Sequence, residues 1–518
     1  MTTSQSTTPQ SPLPPAEARA PGNLAAHLAA LAERRGWTDR AALHQGHRTW
    51  THGEVHDLAA RAATVLAGHG VRPGDRVLLA LPDSVAWVTA FLATARLGAV
   101  AVLVNPELPA ADHAFMAEDT GAVLCVTGPG PEDRDGDGDR FGGLARLGAD
   151  QLMALIPAAE PAAARPVHAH TPLYVQYTSG TTGRPKGVVH RHGDPKTYHD
   201  LIGRRVLRIT QDDVTLSVSK LYFAYGFGNA FVFPLFSGSS AVLVGRRPTP
   251  AAVDELVARY RVTVLYSVPS AYAALVADRG SGHEACFASV RAAVTAGEGM
   301  PEGLARQVTE LLGAPVLEQI GSTEAGHAFC ANSFQHNHPG TVGRPVPGFE
   351  VELRDRDGHP VPDGTEGEMW VRGPTVTPGY LNRPEETART LVGGWLATRD
   401  RARREPDGTY RHLGRADDME MVGGITVSPL EVEAVLRRHP AVKEVAVAAL
   451  TDARGVSRLR AFVVPVPPVR AGLEDELLGL AHERLAAFKV PRSASFVASL
   501  PHTATGKLRR HLVRQGAW

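Results

Sequence analysis

The chain has 518 residues, 43% hydrophobic and 21% charged, and its 54 basic side chains balance 54 acidic ones. That length calls for more than one folded unit, and the absence of net charge excludes a nucleic-acid or anionic-membrane binder driven by bulk electrostatics. Three cysteines, Cys125, Cys286 and Cys330, are too few and too scattered for a disulfide framework or a structural zinc site; they read as small buried apolar side chains.

Residues 1–22 are rich in Ser, Thr and Pro and lack a basic start before an apolar core, so they are expected to be a disordered tail rather than a secretory signal. "LAAHLAALAERRG" and "VHDLAARAATVLAGHG" carry apolar residues at helical spacing. The run Ala86 to Val104 holds Arg96 and Gly98, and reads as a buried helix followed by a strand, not a membrane span. A soluble intracellular protein is expected. "DRVLLAL", "AVAVLVN" and "AVLCVTG" are short apolar runs between turn residues, as in buried parallel strands.

Alternating helices and strands predict an α/β architecture covered on both faces. After an acidic, glycine-rich loop (128–140) and a Pro/Ala linker (157–172), the alternation resumes with "SSAVLVG", "VTVLYSVP" and "VRAAVTAGE". From Gly348 to Gly373, Asp-Gly turns between short strands predict an antiparallel, β-rich region. The last hundred residues read as a small α+β domain. The division is 23–416 for a large N-terminal domain of α/β subdomains plus the β-rich subdomain, and 417–518 for the small C-terminal one.

The stretch "YTSGTTGRPKGVVH", Tyr177 to His190, is chemically the most pointed. Thr178, Ser179, Gly180, Thr181, Thr182 and Gly183 offer backbone N–H groups and hydroxyls without bulk, and Lys186 adds a mobile positive charge; together they suit a polyphosphate. The spacing is not that of the G-x-x-x-x-G-K-S/T phosphate loop, and an ordinary turn between strands is the plainer alternative.

This stretch resembles the phosphate-binding signature of the adenylate-forming superfamily of acyl-CoA synthetases, adenylation domains and luciferases. "QIGSTEAG" (Gln319 to Gly326), "WLATRDRA", "GRADDMEMVGG" and "PHTATGKLRR" follow in the family's order, so the resemblance spans roughly residues 25 to 515. It implies a mobile C-terminal domain, with Asp417 as the pivot. It implies nucleotide contacts from the loop and Lys186, from Glu298, Gly321, Ser322 and Thr323, and from Asp400 (ribose hydroxyls) and Arg415. Glu324 would hold Mg²⁺, Thr323 would serve ATP, and Lys507 would be the adenylation lysine. Gly423 and Gly424 would line the approach of the CoA thiol.

"SKLYFAYGFGNA" resembles the acyl-pocket segment of benzoate-CoA ligase-like enzymes. Ala224, Tyr225 and Gly226 are therefore expected in the pocket, with Gly297, Glu298, Gly321 and His327 nearby. An aromatic core helix is the plainer reading of the segment, and a packing role for His327 weighs equally with a substrate contact. With no partner evident for an ammonium group, the expected substrate is a simple carboxylic acid, aryl or bulky alicyclic or terpenoid.

Three positions depart from the family pattern. Ala397 stands where a basic residue is usual and Arg399 where glycine is usual; the lysine often found near Met421 is also missing. These changes bear on the second half-reaction. The leading expectation is acyl-adenylate formation from ATP with release of pyrophosphate, then transfer to CoA. The rivals are a freestanding adenylating enzyme serving a carrier protein or a separate thiolating enzyme, and a nucleotide-binding pseudoenzyme. No nucleic-acid or membrane partner is expected.

Overall fold

The computed structural model describes residues 22–128, 140–178, 185–278, 286–416, 420–422, 425–451, 457–468, 470–485, 487–502 and 508–516. Two α/β sheets build the large domain. The first has six strands, ordered Arg146–Gly148, Leu124–Thr127, Arg76–Ala80, Val100–Leu103, Pro172–Thr178 and Lys186–Arg191. All neighbours are parallel except the last pair, which is antiparallel. The hydroxyl- and glycine-rich stretch therefore joins two antiparallel strands, not a strand to a helix.

The second sheet has nine strands. Its parallel centre runs Val316–Gly321, Ala292–Thr295, Val264–Ser267, Val214–Ser217, Ser240–Val242 and Ala41–Gln45. Antiparallel strands close both edges. One edge is the hairpin Ala41–Gln45 with Arg48–Thr51, which delivers the N-terminal chain to the far sheet. Hydrophobic periodicity gave no sign of it, because "LHQGHRTW" alternates polar residues across an exposed edge.

The predicted helices form at Leu24–Arg35, His52–Gly68 and Val85–Arg96. The second starts at a Thr51–Glu54 capping box, in which the threonine hydroxyl accepts from the Glu54 N–H and the glutamate accepts from the Thr51 N–H. Apolar faces of these helices meet the first sheet in one large core. Trp87 stacks on Phe91 at 5.4 Å, and Phe227 and Phe231 meet Phe91 edge-on at 5.2 and 4.9 Å. Cys125 and Cys330 are buried, as expected, and burial pushes the Cys125 thiol up to about 12. Such thiols are packing residues rather than nucleophiles.

Glu350–Arg354, Glu366–Arg372, Trp395–Arg404 and Tyr410–Arg415 make the antiparallel subdomain read from the Asp-Gly turns. Beyond it, Val442–Thr451, Ser457–Pro465 and Ser493–Phe496 form a three-stranded sheet packed with helices Pro429–Leu436 and Leu473–Arg484 around their own core. Buried Glu433 holds this domain's last helix through a two-pronged contact with Arg510, at 2.8 and 2.9 Å. Among the described residues, no helix is long and apolar enough to cross a membrane.

Candidate active site

Three units of the large domain meet at one junction. His190, buried on the strand Lys186–Arg191, points Nε2 at the Thr323 carbonyl oxygen (2.7 Å) in the loop after the second sheet's strand Val316–Gly321. Its Nδ1 faces the Asp194 carboxylate at 3.3 Å, and its ring stacks on Tyr174. From the β-rich side, the Thr377 N–H donates to the Glu324 carbonyl and the Thr377 hydroxyl to the Val189 carbonyl, both at 2.7 Å. The Thr375 hydroxyl donates to the Ala325 carbonyl.

The Glu324 carboxylate accepts a hydrogen bond from the Tyr380 hydroxyl at 2.8 Å. Lys186 lies over the Tyr380 ring, 5.4 Å from its centre, and pairs with Glu386 at 3.1 Å. Thus Lys186 and Glu324, distant in sequence, share one aromatic neighbour. Thr178 ends its strand opposite Lys186. Ser179, Gly180, Thr181, Thr182 and Gly183 lie outside the described residues, as do Asp417, Gly423, Gly424 and Lys507.

Asp400 is buried, with its Oδ1 3.2 Å from His412 Nε2, and it lies across the strand pair from exposed Arg415. Burial alone would raise its carboxyl, but the hydrogen bond from His412 and the charges of His412 and Arg415 hold it below the usual carboxylate range. It is a fixed acceptor-only group, suited to a pair of hydroxyls. The residue before it, Arg399, is exposed and left-handed at φ 62°. A side chain there costs roughly 1–2 kcal/mol, which accounts for the glycine expected at this place.

On the second sheet's face, the Tyr225 hydroxyl donates to the Val294 carbonyl at 3.0 Å. Ala224, half-buried, opens the short helix Ala224–Phe227. A Cβ on Gly226 would lie 2.2 Å from the Lys220 carbonyl oxygen and 2.4 Å from that of Ser219, so its bareness serves the chain's own close approach. His327 is buried, 3.2 Å from Asn229 Oδ1, and its ring packs against Tyr198, Tyr225 and Phe233. Burial drives its pKa down to about 3, leaving a neutral imidazole. Phe227, Phe231 and Phe233 are core, so these rings of the segment serve the plainer reading of it, an aromatic core.

Gly297 sits at φ 93° in the turn after the strand Ala292–Thr295, and Glu298 follows it half-exposed. Gly321 is glycine because the His327 carbonyl oxygen lies 2.3 Å from where its Cβ would be. The Ser322 hydroxyl accepts from the Ala325 N–H, closing the Ser322–Thr323–Glu324 turn. Buried Glu318 accepts from the Met300 N–H at 2.9 Å and so braces the Gly297–Met300 turn against the strand.

His190, Tyr380, His412, Glu318 and Asn229 were not picked out from sequence. Signals existed for two: His190 closes the most pointed stretch and stands four residues before Asp194, and His412 ends the approach to "GRADD". The others are defined only by long-range contacts.

Gly226→Ala is expected to force the Lys220 segment aside and to lower stability by about 1–3 kcal/mol; an unshifted thermal unfolding midpoint would contradict that close approach. Burial raises the Glu318 carboxyl to about 7, against opposing effects of the Met300 N–H and of His412 and Arg411. Between pH 4.5 and 7 the folded state then holds a proton that the unfolded state has lost, so stability falls as pH rises through that window. Glu318→Gln removes the slope and should be more stable than the native protein above pH 7 by on the order of 3 kcal/mol, the gap vanishing near pH 4. Chemical denaturation across pH measures it, and a gap independent of pH would refute it.

Residues 30–381 match the family model described as AMP-binding enzyme, and residues 431–507 that of the AMP-binding enzyme C-terminal domain. The p-hydroxybenzoic acid–AMP ligase FadD22 of Mycobacterium tuberculosis is 41% identical over 498 residues, covering 95% of this chain and 69% of that protein. The benzoate–CoA ligase of Thauera aromatica is 38% identical over 458 residues, 86% of each chain. The crystal structure of a benzoate CoA ligase from Burkholderia xenovorans LB400 superimposes with a TM-score of 0.88 at 36% identity, covering 95% of this chain and 99% of the other. The chain belongs to the AMP-binding enzyme family, the adenylate-forming acid ligases.

Proposed function

We propose that this enzyme activates an aryl carboxylic acid of benzoate size, forming an aryl-adenylate from ATP with release of pyrophosphate and then a thioester with CoA. The observation that supports it best is that Lys186 and the Glu324 carboxylate, distant in sequence, meet at one aromatic ring, that of Tyr380.

The chemical problem is charge. A carboxylate approaching a triphosphate is repelled, so the site must neutralise the phosphate and align attacker and leaving group. Lys186 and the loop of hydroxyls and glycines would hold the polyphosphate, and Asp400 would fix the ribose hydroxyls. Thr323 and Glu324 present hard oxygen atoms, the donor set Mg²⁺ prefers. When bound, that ion would neutralise charge on the phosphate oxygens. Tyr380 restrains the Glu324 carboxylate in advance. Lys507 would bridge the acid's carboxylate and the α-phosphate, and rotation about Asp417 would then bring Gly423 and Gly424 to the thiol.

A second reading is favoured by one observation: a relative at 41% identity is named as an acid–AMP ligase rather than a CoA ligase. In that reading the adenylate passes to a carrier protein or a separate thiolating enzyme, and exposed Arg399, in a left-handed backbone beside Asp400, would hinder CoA.

Acid-dependent ATP–pyrophosphate exchange over aryl, alicyclic and fatty acids, with thioester followed when CoA is added, tests both readings. Exchange confined to aryl acids with thioester formation is expected; exchange with no thioester selects the second reading. Lys507→Ala should lower exchange by at least a hundredfold while leaving ATP binding, and retained exchange would remove that lysine from the mechanism. Arg399→Gly should raise thioester formation severalfold relative to exchange if the side chain hinders the thiol; equal effects on both would assign it no part in that step.

A further inference from the structure

The turn that leads into the Tyr225 segment is fastened by a buried charge. Lys220, 8% exposed, follows the strand Val214–Ser217, and its ammonium donates to the Val244 and Arg246 carbonyls at 2.6 and 2.9 Å. Those carbonyls follow Ser240–Val242, the neighbouring strand of the same sheet. The ammonium also faces the Asp83 carboxylate, at 4.0 Å. Asp83, 2% exposed, lies between the first sheet's strand Arg76–Ala80 and the helix Val85–Arg96, and its other oxygen accepts from the Leu221 N–H at 2.9 Å. Lys220 by its side chain and Leu221 by its backbone thus tie one turn to both sheets.

Burial opposes both charges. It pushes the Asp83 carboxyl up to about 7 and the Lys220 ammonium down, and each group is the strongest influence holding the other against that shift. Apolar residues of similar volume often serve stability as well as a buried ion pair does, so what the lysine supplies is place. The place it sets is the base of the predicted acyl wall. The Lys220 carbonyl accepts from the Phe223 N–H at 2.9 Å and stands 2.2 Å from where a Cβ on Gly226 would be. The Phe223 carbonyl in turn accepts from the Phe227 N–H at 2.8 Å, in the helix Ala224–Phe227. Phe91, on the helix that Asp83 precedes, meets Phe227 edge-on. A shift of Lys220 therefore carries Ala224, Tyr225 and Gly226 with it.

We infer that Lys220, held by Asp83, is a positioning residue for the acid: it sets where Ala224, Tyr225 and Gly226 stand, and so the width of the space the acid enters. This rests on the aryl-acid reading above, in which those three residues line the acid's pocket. Lys220 acts through the turn and not on the acid, because its ammonium is committed to Val244, Arg246 and Asp83. The groups proposed for the nucleotide are held by other contacts. His190, Tyr380 and Thr377 hold the Thr323–Glu324 turn, Glu386 pairs with Lys186, and His412 with Asp400. None of these contacts involves Lys220 or Asp83, so loosening the turn is felt by the acid and not by ATP.

The test measures KM for the acid, KM for ATP and kcat of ATP–pyrophosphate exchange with benzoate and with the wider 2-naphthoate. It compares the native enzyme with Lys220→Met and Asp83→Asn, and follows thermal unfolding of each. Methionine keeps most of the stem and loses the ammonium; asparagine keeps an acceptor for the Leu221 N–H and loses the charge. Lys220→Met is expected to raise KM for benzoate about tenfold or more, to leave KM for ATP within about twofold, and to lower the preference for benzoate over 2-naphthoate severalfold. Asp83→Asn should show the same split at a smaller size, and it carries the test alone if Lys220→Met does not fold. An unchanged KM for the acid, with or without a lower unfolding midpoint, overturns the positioning role and leaves the aryl-acid reading intact. So does a rise shared equally by acid and ATP. No exchange with either acid in the native enzyme overturns that reading and the positioning role with it.

Discussion

The structure turns on the contact between the His190 ring and the Thr323 carbonyl. His190 belongs to the sheet that carries the hydroxyl- and glycine-rich stretch, and Thr323 to the turn that ends a strand of the other sheet. Open α/β sheets bind ligands where strands end and connections diverge, but two separate sheets must first be held in register at that place. A buried hydrogen bond does this because breaking it leaves unpaired polar groups away from water. Thr377 extends the lock to the β-rich subdomain by bonding the Glu324 and Val189 carbonyls at once. The turn bearing Thr323 and Glu324 is thus restrained from two sides before any ligand arrives.

That preorganisation has an electrostatic counterpart. Lys186 is not a free cation in this structure: Glu386 pairs with it, and both side chains are about 15% exposed. In the proposed function a polyphosphate would take Lys186 from that partner, so the lysine would favour an anion only if its charge density exceeds that of a carboxylate. Triphosphate meets the condition, and a lone carboxylate does not. Asp400 solves the opposite problem. It stays anionic while buried because His412 and Arg415 stand on the neighbouring strand. One group is kept exchangeable and the other fixed, as the proposed roles toward a leaving pyrophosphate and a retained nucleoside would require.

Much of this was legible from the chain. Short apolar runs between turn residues marked the parallel strands because burial on both faces leaves no room for polar alternation. Asp-Gly turns marked the antiparallel subdomain correctly. The family resemblance named Asp400, Thr323 and Glu324, and the structure holds the last two in a turn bonded by His190, Tyr380 and Thr377. The partners were not legible. Tyr380 lies 56 residues from Glu324 and His190 133 residues from Thr323, and nothing local requires either pairing. The edge hairpin Ala41–Thr51 was missed for a related reason: its alternation is diluted by exposure, and only its docking beside Ser240–Val242 makes it a strand pair. Gly226 shows a subtler limit, since the resemblance assigned it to the acyl pocket while the backbone crowding that requires glycine there was not readable.

One strand shows how consecutive buried polar residues brace two different neighbours. Side chains alternate across a sheet with a period of two. On Val316–Gly321, Glu318 turns to one face and accepts from Met300, bracing the Gly297–Met300 turn. Gln319 turns to the other face, where its amide is within reach of the Tyr225 hydroxyl that donates to Val294. Both are buried polar residues, so both carry a desolvation cost. The first recovers part of it from the Met300 N–H, and its neutral acid form recovers more. The second recovers part of it at Tyr225. The strand thus ties the Gly297–Met300 turn to one of its faces and the segment bearing Tyr225 to the other.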